Sequence, residues 1–577
     1  MVLIGRYFAY ECFSDLFIKR KKIMNMKLKG LGNRTYNVLF HTHTVSGIVI
    51  SFALFVIFYA GAFALFRHEI KQWENPAFRQ QVNPSFDYHK AIHKTDSLYR
   101  VDWAKPVYVY FPEEQVPFFR LVGNTEEGKQ GDTTVASRRF YAYVAPMNYQ
   151  VDELYEKTTL SDTLYFLHFF QQLPIQRGQY IAGLVAVFFL FATITGLLIH
   201  WRSLFTKFYA FITEGSWKTI WTNLHTVLGV IGLPFQIMYA VTGAFFGILI
   251  LILAPVVFML YGGDTDQVYQ KISPDLAIKV NPEAPTTDKN IPFTTLYKQV
   301  VKAYPTLHVK RASLTNYGKE DAFVTWYLGD EKGIFSDGTA VMYMRDGKIL
   351  PEYSITPIKK EYSQAVRDLI RKLHFASFGD VMIKVLYFVL SMITCLMIIS
   401  GVMIWRTARD NKRYTLKQRL FHHRVTKVYL AICLSMFPAF AIIFLANKLV
   451  PMSMEGRADF VNQIFFISWL ALTILGSFWN NYAKLNKNFL FLGGMLSLII
   501  PIANGIVTND WFWQVWQTLP RVACVDIFWL LTGITALVLA LKVLKVKATS
   551  DVPTALETFE NDTKKVQTMQ VKRQLPT

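Results

Sequence analysis

The stretch VLFHTHTVSGIVISFALFVIFYAGAFALF at residues 38–66 decides the reading of this chain. It contains no Lys, Arg, Asp or Glu and is longer than the roughly 20 apolar residues a helix needs to cross a bilayer. The chain then repeats it. HTVSG from His43 returns as HTVLG from His225, and in both copies GAF begins eighteen residues after the histidine, at Gly61 and Gly243. A fixed spacing held twice points to an internal duplication.

The repeat continues outward. Leu167-His168 precedes an apolar segment that ends in Thr195-Gly196-Leu197 and then Trp201-Arg202. Leu373-His374 precedes one that ends in Ser400-Gly401-Val402 and then Trp405-Arg406. Each unit therefore reads as span, polar loop, histidine at the membrane surface, span. Both copies run in the same direction, so this is a parallel duplication about an axis normal to the membrane. Eight spans are expected in all, near 38–66, 179–200, 224–253, 382–404, 425–446, 464–478, 489–506 and 525–543. The third continues to 260 past Pro255, which predicts tilt, a kink or a protruding end.

A formal charge of +20 on a soluble surface would suggest nucleic acid. Here Lys and Arg gather in short segments between spans, which orients a membrane protein and favours anionic headgroups, so no nucleic-acid partner is expected. The positive-inside rule puts 1–37, 201–223 and 406–424 in the cytoplasm, and an even span number returns the tail 546–577 to that side. Residues 8–17 are mildly apolar and 19–22 are basic, the reverse of a cleaved signal peptide. Loops 67–177 and 261–380 fall outside the cytoplasm and are long enough to fold as two small domains. Strands are expected at 106–111, 139–144 and 339–343, the last turning at Asp346-Gly347-Lys348 into Ile349-Leu350. The fold class is thus an all-α membrane bundle carrying two α+β extracytoplasmic domains.

Histidines beside spans are costly unless they face the bundle interior and find a partner. A two-fold arrangement of the repeats brings His43 toward His225 near the cytoplasmic face, and His168 toward His374 near the outer face. Two facing imidazoles are the axial ligand set of a b-type haem; an interfacial or hydrogen-bonding role is the plainer alternative. Gly47 and Gly229 lie one turn beyond the inner histidines, on the same helix face, where a macrocycle or a neighbouring helix would approach. His200, without a counterpart in the second copy, and His422 and His423, which open the fifth span, are second choices. His41 points away from His43, and His68, His89, His93 and His308 belong to the outer loops with surface roles.

Other chemistries leave no trace. Cys12, Cys395, Cys433 and Cys524 are widely separated and no C-x-x-C-H occurs, which excludes a covalently attached haem and gives no disulfide framework. Nucleotide, ATPase, zinc-protease and hydrolase motifs are absent from the sequence, so electrons must come from an external donor, a cytoplasmic flavoprotein or a quinol.

The order of H-x-x-x-G span, outer domain with a strand-turn-strand at 341–350, L-H motif and T-G-x-x-x-x-W closure resembles the PepSY-associated transmembrane family of bacterial inner-membrane proteins, over about 34–406. Ser400 in place of Thr and the spacing of Gly379 after His374 depart from it, and the last four spans lie beyond it. The resemblance implies PepSY-like outer domains, two haem b groups held by His43 with His225 and by His168 with His374, and transfer of electrons to ferric siderophores or other ferric chelates in the periplasm for iron acquisition. Outer-loop aromatics such as Tyr99, Trp103, Tyr141, Tyr143, Trp326 and Tyr343 would contact the chelate or, more plainly, pack the core. Two rival readings are a membrane-anchored partner-binding or peptidase-regulating protein without redox activity, which leaves the paired histidines without a purpose, and a metal- or proton-coupled transporter, which the scarcity of acidic residues in the spans weakens.

Overall fold

The computed structural model describes residues 32–543 apart from 82, 114–115, 131–132, 153–159, 174–177, 205–215, 266, 269–272, 282, 331–336, 356–361, 412 and 480. The basic amino terminus before residue 32 with Cys12, part of the loop 201–223 and the tail 546–577 lie outside the described residues.

In chain order the helices are α1 (Asn33–Ala64), α2 (Arg67–Glu74), α3 (Tyr88–Tyr99), α4 (Leu160–Leu167), α5 (Gly178–His200), α6 (Trp217–Ile231), α7 (Leu233–Tyr261) and α8 (Phe293–Ala303). Then follow α9 (Tyr362–His374), α10 (Val381–Arg409), α11 (Leu416–Leu449), α12 (Arg457–Phe478), α13 (Tyr482–Thr508), the short α14 (Phe512–Val515) and α15 (Pro520–Val543). Among the described residues seven are long and apolar enough to cross a membrane: α1, α5, α10, α11, α12, α13 and α15. The pair α6 and α7 makes an eighth span broken by 70°.

The third span was expected to show tilt, a kink or a protruding end because it runs past Pro255, and its break lies earlier. The chain turns at Gly232, not at Pro255, which lies inside an unbroken α7. Pro234 is the cause: its ring collides with the carbonyl four residues earlier and it lacks the N–H that would continue α6. The fifth and sixth spans begin earlier than the apolar windows 425–446 and 464–478. A capping box formed by Thr415 and Gln418 starts α11 among polar residues, so His422 and His423 lie two turns inside a helix. Arg457, 1% exposed, starts α12 by donating to the Asn447 carbonyl at 2.6 Å.

The two loops do not fold as separate domains. Their strands, β1 (Val107–Tyr110), β2 (Phe119–Asn124), β5 (Arg139–Val144) and β6 (Val151–Asp152) from the first loop and β7 (His308–Thr315), β8 (Phe323–Gly329) and β9 (Gly338–Tyr343) from the second, form one sheet in the order β6-β5-β2-β1-β7-β8-β9. A separate pair, β3 (Gly128–Gln130) and β4 (Thr133–Val135), lies off it. The join is the antiparallel pairing of β1 with β7, from Val107 opposite Leu314 to Tyr110 opposite Arg311. Each half would otherwise end in an open edge of unpaired backbone groups, and edge-to-edge pairing removes both. Helices α3 and α8 supply one core shared by both halves, in which Phe111 meets Phe293 at 6.2 Å and Tyr88 meets Tyr297 at 5.0 Å. Trp326 is fully buried there, so packing is its role. The expected turn after β9 is present, with Gly347 at φ +67° and Leu350 N–H donating to the Val341 carbonyl at 2.8 Å.

Helices α2 and α4 tie the sheet to the bundle. Asp162 on α4 pairs with Arg67 and, at 3.4 Å, with Lys71 of α2. Burial alone would raise the Asp162 carboxyl; the two cations outweigh it and hold it below the usual carboxylate range. Glu74, 2% exposed, accepts from the backbone N–H groups of Leu160 at 2.9 Å and Ser161 at 3.3 Å, and from Asn447 at 2.7 Å. It therefore satisfies the orphan donors at the start of α4 while holding α11. The Trp73 indole donates to Asp526 of α15 at 2.7 Å, Asn504 of α13 donates to the same carboxylate at 2.8 Å, and Lys448 donates to the Trp73 carbonyl. Through these contacts the last four spans brace the segment that carries His168.

Candidate functional site

The repeated histidines meet in two pairs at opposite ends of the first four spans. The pair away from the sheet is His43 on α1 and His225 on α6, with ring centres 6.0 Å apart and planes inclined at 70°. The pair beside the sheet is His168, just after α4, and His374, which ends α9; their ring centres are 6.1 Å apart and the planes incline at 47°. All four rings are half-buried.

Each far-side ring sits on the span that follows it in the chain. His43 Nδ1 lies 2.8 Å from the Ala192 carbonyl of α5, and His225 Nδ1 lies 2.9 Å from the Met397 carbonyl of α10. A carbonyl only accepts, so each Nδ1 carries the proton and each Nε2 keeps its lone pair. The acceptors stand four residues before Gly196 and Gly401, and those glycines make room for the rings: a Cβ at Gly196 would be 3.0 Å from His43 Cε1, and one at Gly401 3.1 Å from His225 Cε1. Thr195 Oγ1 at 3.5 Å from His43 Nδ1 and Ser400 Oγ at 3.3 Å from His225 Nδ1 complete matching seats. Ser400 thus keeps the hydroxyl that Thr195 supplies, and the departure at that position costs no contact.

The sheet-side rings are held on α1, toward its carboxyl end, and on α7. His168 Nδ1 lies 2.8 Å from the Ile57 carbonyl, four residues before Gly61, where a Cβ would stand only 2.5 Å from that Nδ1. His374 Nδ1 is 2.9 Å from Thr242 Oγ1, whose proton already goes to the Met238 carbonyl at 2.8 Å, so the imidazole is again the donor. Tyr239 donates to the His374 carbonyl at 2.9 Å. Two residues after each histidine the chain turns through a left-handed residue, Phe170 at φ +58° and Ala376 at φ +51°, an uncommon conformation for non-glycine residues. Burial pushes the His374 imidazole down to about 3, with His168 adding to it, and burial lowers His168 as well. Both are therefore neutral at ordinary pH, the form that ligates a metal.

Beside this pair lies a cavity of about 820 Å³, within the range of roughly 300–1,000 Å³ typical of small-molecule and cofactor sites. Gly61, Ala186, Gly243 and Gly247 keep its wall thin near His168 and His374. Arg67, Lys310, Arg371 and Lys384 line it against Glu113 and Asp380, so among the described lining residues positive side chains outnumber negative ones. Arg371 and Lys310 both pair with Asp337, which fixes their place.

The second-choice residues stand elsewhere. His422 packs on Trp405 at 5.0 Å, and His423 Nδ1 is engaged by the Tyr482 hydroxyl at 2.7 Å; neither enters a ring pair. His200 closes α5 four residues past Gly196 and lies near enough to His225 to interact with it electrostatically, outside the ring contact of His43 with His225. At Gly47 and Gly229 a Cβ would meet nothing within 4 Å. Among the described residues the space beside them is open, which suits a flat group. The glycines that matter for seating the imidazoles are Gly61, Gly196 and Gly401. Their signal was present in the repeated GAF, T-G and S-G positions, but spacing alone does not say that a ring rests there.

Fold and site together define a multi-pass membrane protein with two imidazole pairs held by one set of four spans. The chain belongs to the family described as the PepSY-associated TM region, which it matches over residues 40–408. That range contains all four paired histidines and leaves out the last four spans. The chain is similar to a Pseudomonas aeruginosa protein described as uncharacterized, with 23% identity over 347 residues, covering 57% of this chain and 82% of that one.

Proposed function

We propose that this protein is a haem b-containing reductase of the bacterial inner membrane, with both termini cytoplasmic, that passes electrons from a cytoplasmic flavoprotein or a quinol to ferric siderophores or similar ferric chelates on the sheet side. In this reading the two histidine-bearing units are copies of one ancestral unit and the halves of the sheet are PepSY-like. The matching imidazole seats and the paired left-handed turns support the duplication.

The observation that carries the proposal is the state of the four imidazoles. Each commits Nδ1 to a neighbouring helix and, among the described residues, makes no hydrogen bond through Nε2, the arrangement of metal-ligating histidines whose second nitrogen is anchored. The donor set fits a haem. Among the described residues no group of three or more His, Cys, Asp or Glu is placed to hold a metal ion, so a metal held by two imidazoles must bring its remaining donors with it, as a porphyrin does. The ring-centre separations of 6.0 and 6.1 Å would let the two imidazoles of each pair hold one haem iron between them. A bound haem at each pair supplies a one-electron carrier near each membrane face. His43 and His225 would hold the far one, with the open space at Gly47 and Gly229 beside it; His168 and His374 would hold the other. Phe58, Phe189, Phe235 and Tyr239 pack between the pairs with ring centres 4.7–6.2 Å apart. They make that part of the interior apolar, and Phe58, Phe189 and Tyr239 also line the cavity beside His168 and His374. On the sheet side a chelate would face Arg67, Lys310, Arg371 and Lys384, whose charges are shared with Asp162, Asp337 and Glu69, and reduction there weakens the hold of hard oxygen donors on the iron.

The reduced-minus-oxidised visible spectrum of the purified protein tests this. Sharp low-spin b-type bands are expected; a folded but colourless protein from haem-replete cells would refute it. Glycine variants separate the two sites. Gly61→Val is expected to displace His168 and remove the sheet-side haem alone, and Gly196→Val to displace His43 and remove the far one alone. Redox titration reads this as loss of one or the other midpoint potential, and loss of the same component in both variants would contradict the assignment.

A further inference from the structure

Helix α3 carries a pair of imidazoles that the electron path does not use. His89 and His93 are one turn apart on the same helix face, with ring centres 4.4 Å apart, planes perpendicular and the two Nε2 atoms 3.2 Å from each other. The Tyr317 hydroxyl, from the turn between β7 and β8, lies 3.0 Å from His89 Nδ1. In the tautomer in which His89 Nδ1–H donates to that hydroxyl, the lone pair of His89 Nε2 faces His93 Nε2, whose N–H it accepts until a metal ion takes that place. The Asp87 carboxylate caps the helix through the backbone N–H groups of His89 and Lys90 at 3.0 and 3.2 Å, and its charge favours a cation at His89.

We propose that His89 and His93 form a surface binding site for a divalent first-row transition metal ion, Cu²⁺ in preference to Zn²⁺, with Tyr317 as the residue that positions His89. The geometry suits it. With metal–nitrogen bonds of about 2.0–2.1 Å, two donors stand about 2.9 Å apart at a right angle and about 3.3 Å apart at the tetrahedral angle. The observed 3.2 Å lies between these values, and a helical i, i+4 pair is a familiar way of presenting two imidazoles to one ion. Neutral imidazole donors select Cu²⁺, Ni²⁺ and Zn²⁺ over Mg²⁺ or Ca²⁺, and the ordering of first-row affinities puts Cu²⁺ first. His93 is exposed, so the ion is reachable from solvent. Binding requires only that His93 carry its proton on Nδ1, so no proton is released from the neutral pair. The remaining coordination positions fall to water or to a donor of an incoming ligand.

The test is titration of Cu²⁺, and separately Zn²⁺, into untagged, haem-loaded full-length protein in detergent, read by calorimetry and, for Cu²⁺, by the nitrogen hyperfine pattern in electron spin resonance. One site with a dissociation constant on the order of 10 µM is expected for two protein ligands. His89→Ala or His93→Ala should weaken it at least tenfold, Tyr317→Phe by a smaller factor, and His308→Ala not at all. The haem spectrum serves as the check that each variant is folded. Binding that is unchanged in the His89→Ala/His93→Ala double variant, or no binding by the native chain, would overturn the proposal.

Discussion

His225→Leu is expected to yield a folded protein with half the haem of the native chain. The substitution is nearly neutral for packing, since a half-buried imidazole is exchanged for an apolar side chain of similar volume on α6, and it forfeits the hydrogen bond to the Met397 carbonyl, worth about 1 kcal/mol. For the proposed far-side haem the loss would be much larger, because one of its two protein ligands would be gone and His43 alone would have to hold it. Reduced pyridine haemochrome assay against protein concentration gives the stoichiometry, and the remaining spectrum should match that of Gly196→Val. Steady reduction of a ferric chelate by a cytoplasmic-side donor should fall by at least 10²-fold, because the path is interrupted before the sheet side. Full haem content in His225→Leu would sink the assignment of the far pair.

Glu74→Ala should be the most damaging substitution outside the histidines. It removes the acceptor for two backbone N–H groups at the start of α4 and for Asn447, and it leaves Arg457, whose Nη1 is 4.0 Å from Glu74 Oε1, buried without its carboxylate. Breaking a buried charge pair in this way costs about 3–5 kcal/mol. Because α4 ends at Leu167, loosening it also frees His168. The expected result is a lowered thermal midpoint in detergent together with selective weakening of the sheet-side haem. Glu74→Gln, which keeps an acceptor oxygen, should recover most of both. A native midpoint in Glu74→Ala would show that the network does not brace α4.

The spans and the four paired histidines were legible in the sequence because apolar length and a repeated motif are local signals. The four rings were assigned to two pairs from the direction of the repeat alone, and they lie in those pairs. The seats of the rings were not legible. Gly196 and Thr195 were noted as repeated letters, but only the packing of α1 against α5 turns them into a cradle for His43. The length of the third span was legible, as tilt, a kink or a protruding end, but its 70° break was not: the chain turns at Gly232, where a glycine beside Pro234 lets it, while the helix runs unbroken through Pro255. The join between β1 and β7 was missed because an edge strand carries no record of its partner. The last four spans gave no functional signal, since Lys448, Arg457 and Asp526 read as isolated charges until Trp73 and Glu74 are brought against them.

The pairing of Val107 with Leu314 also sets an order for biosynthesis. At ribosomal speeds of about 5–20 residues per second, β1 waits on the order of 10–40 s for β7 to emerge, and two membrane crossings, by α5 and by α6 with α7, must be completed before the wait ends. Until then the first half presents a sticky strand to its surroundings. A nascent chain halted after residue 261 should accordingly be cut by protease within 67–177, and one halted beyond residue 343 should resist it.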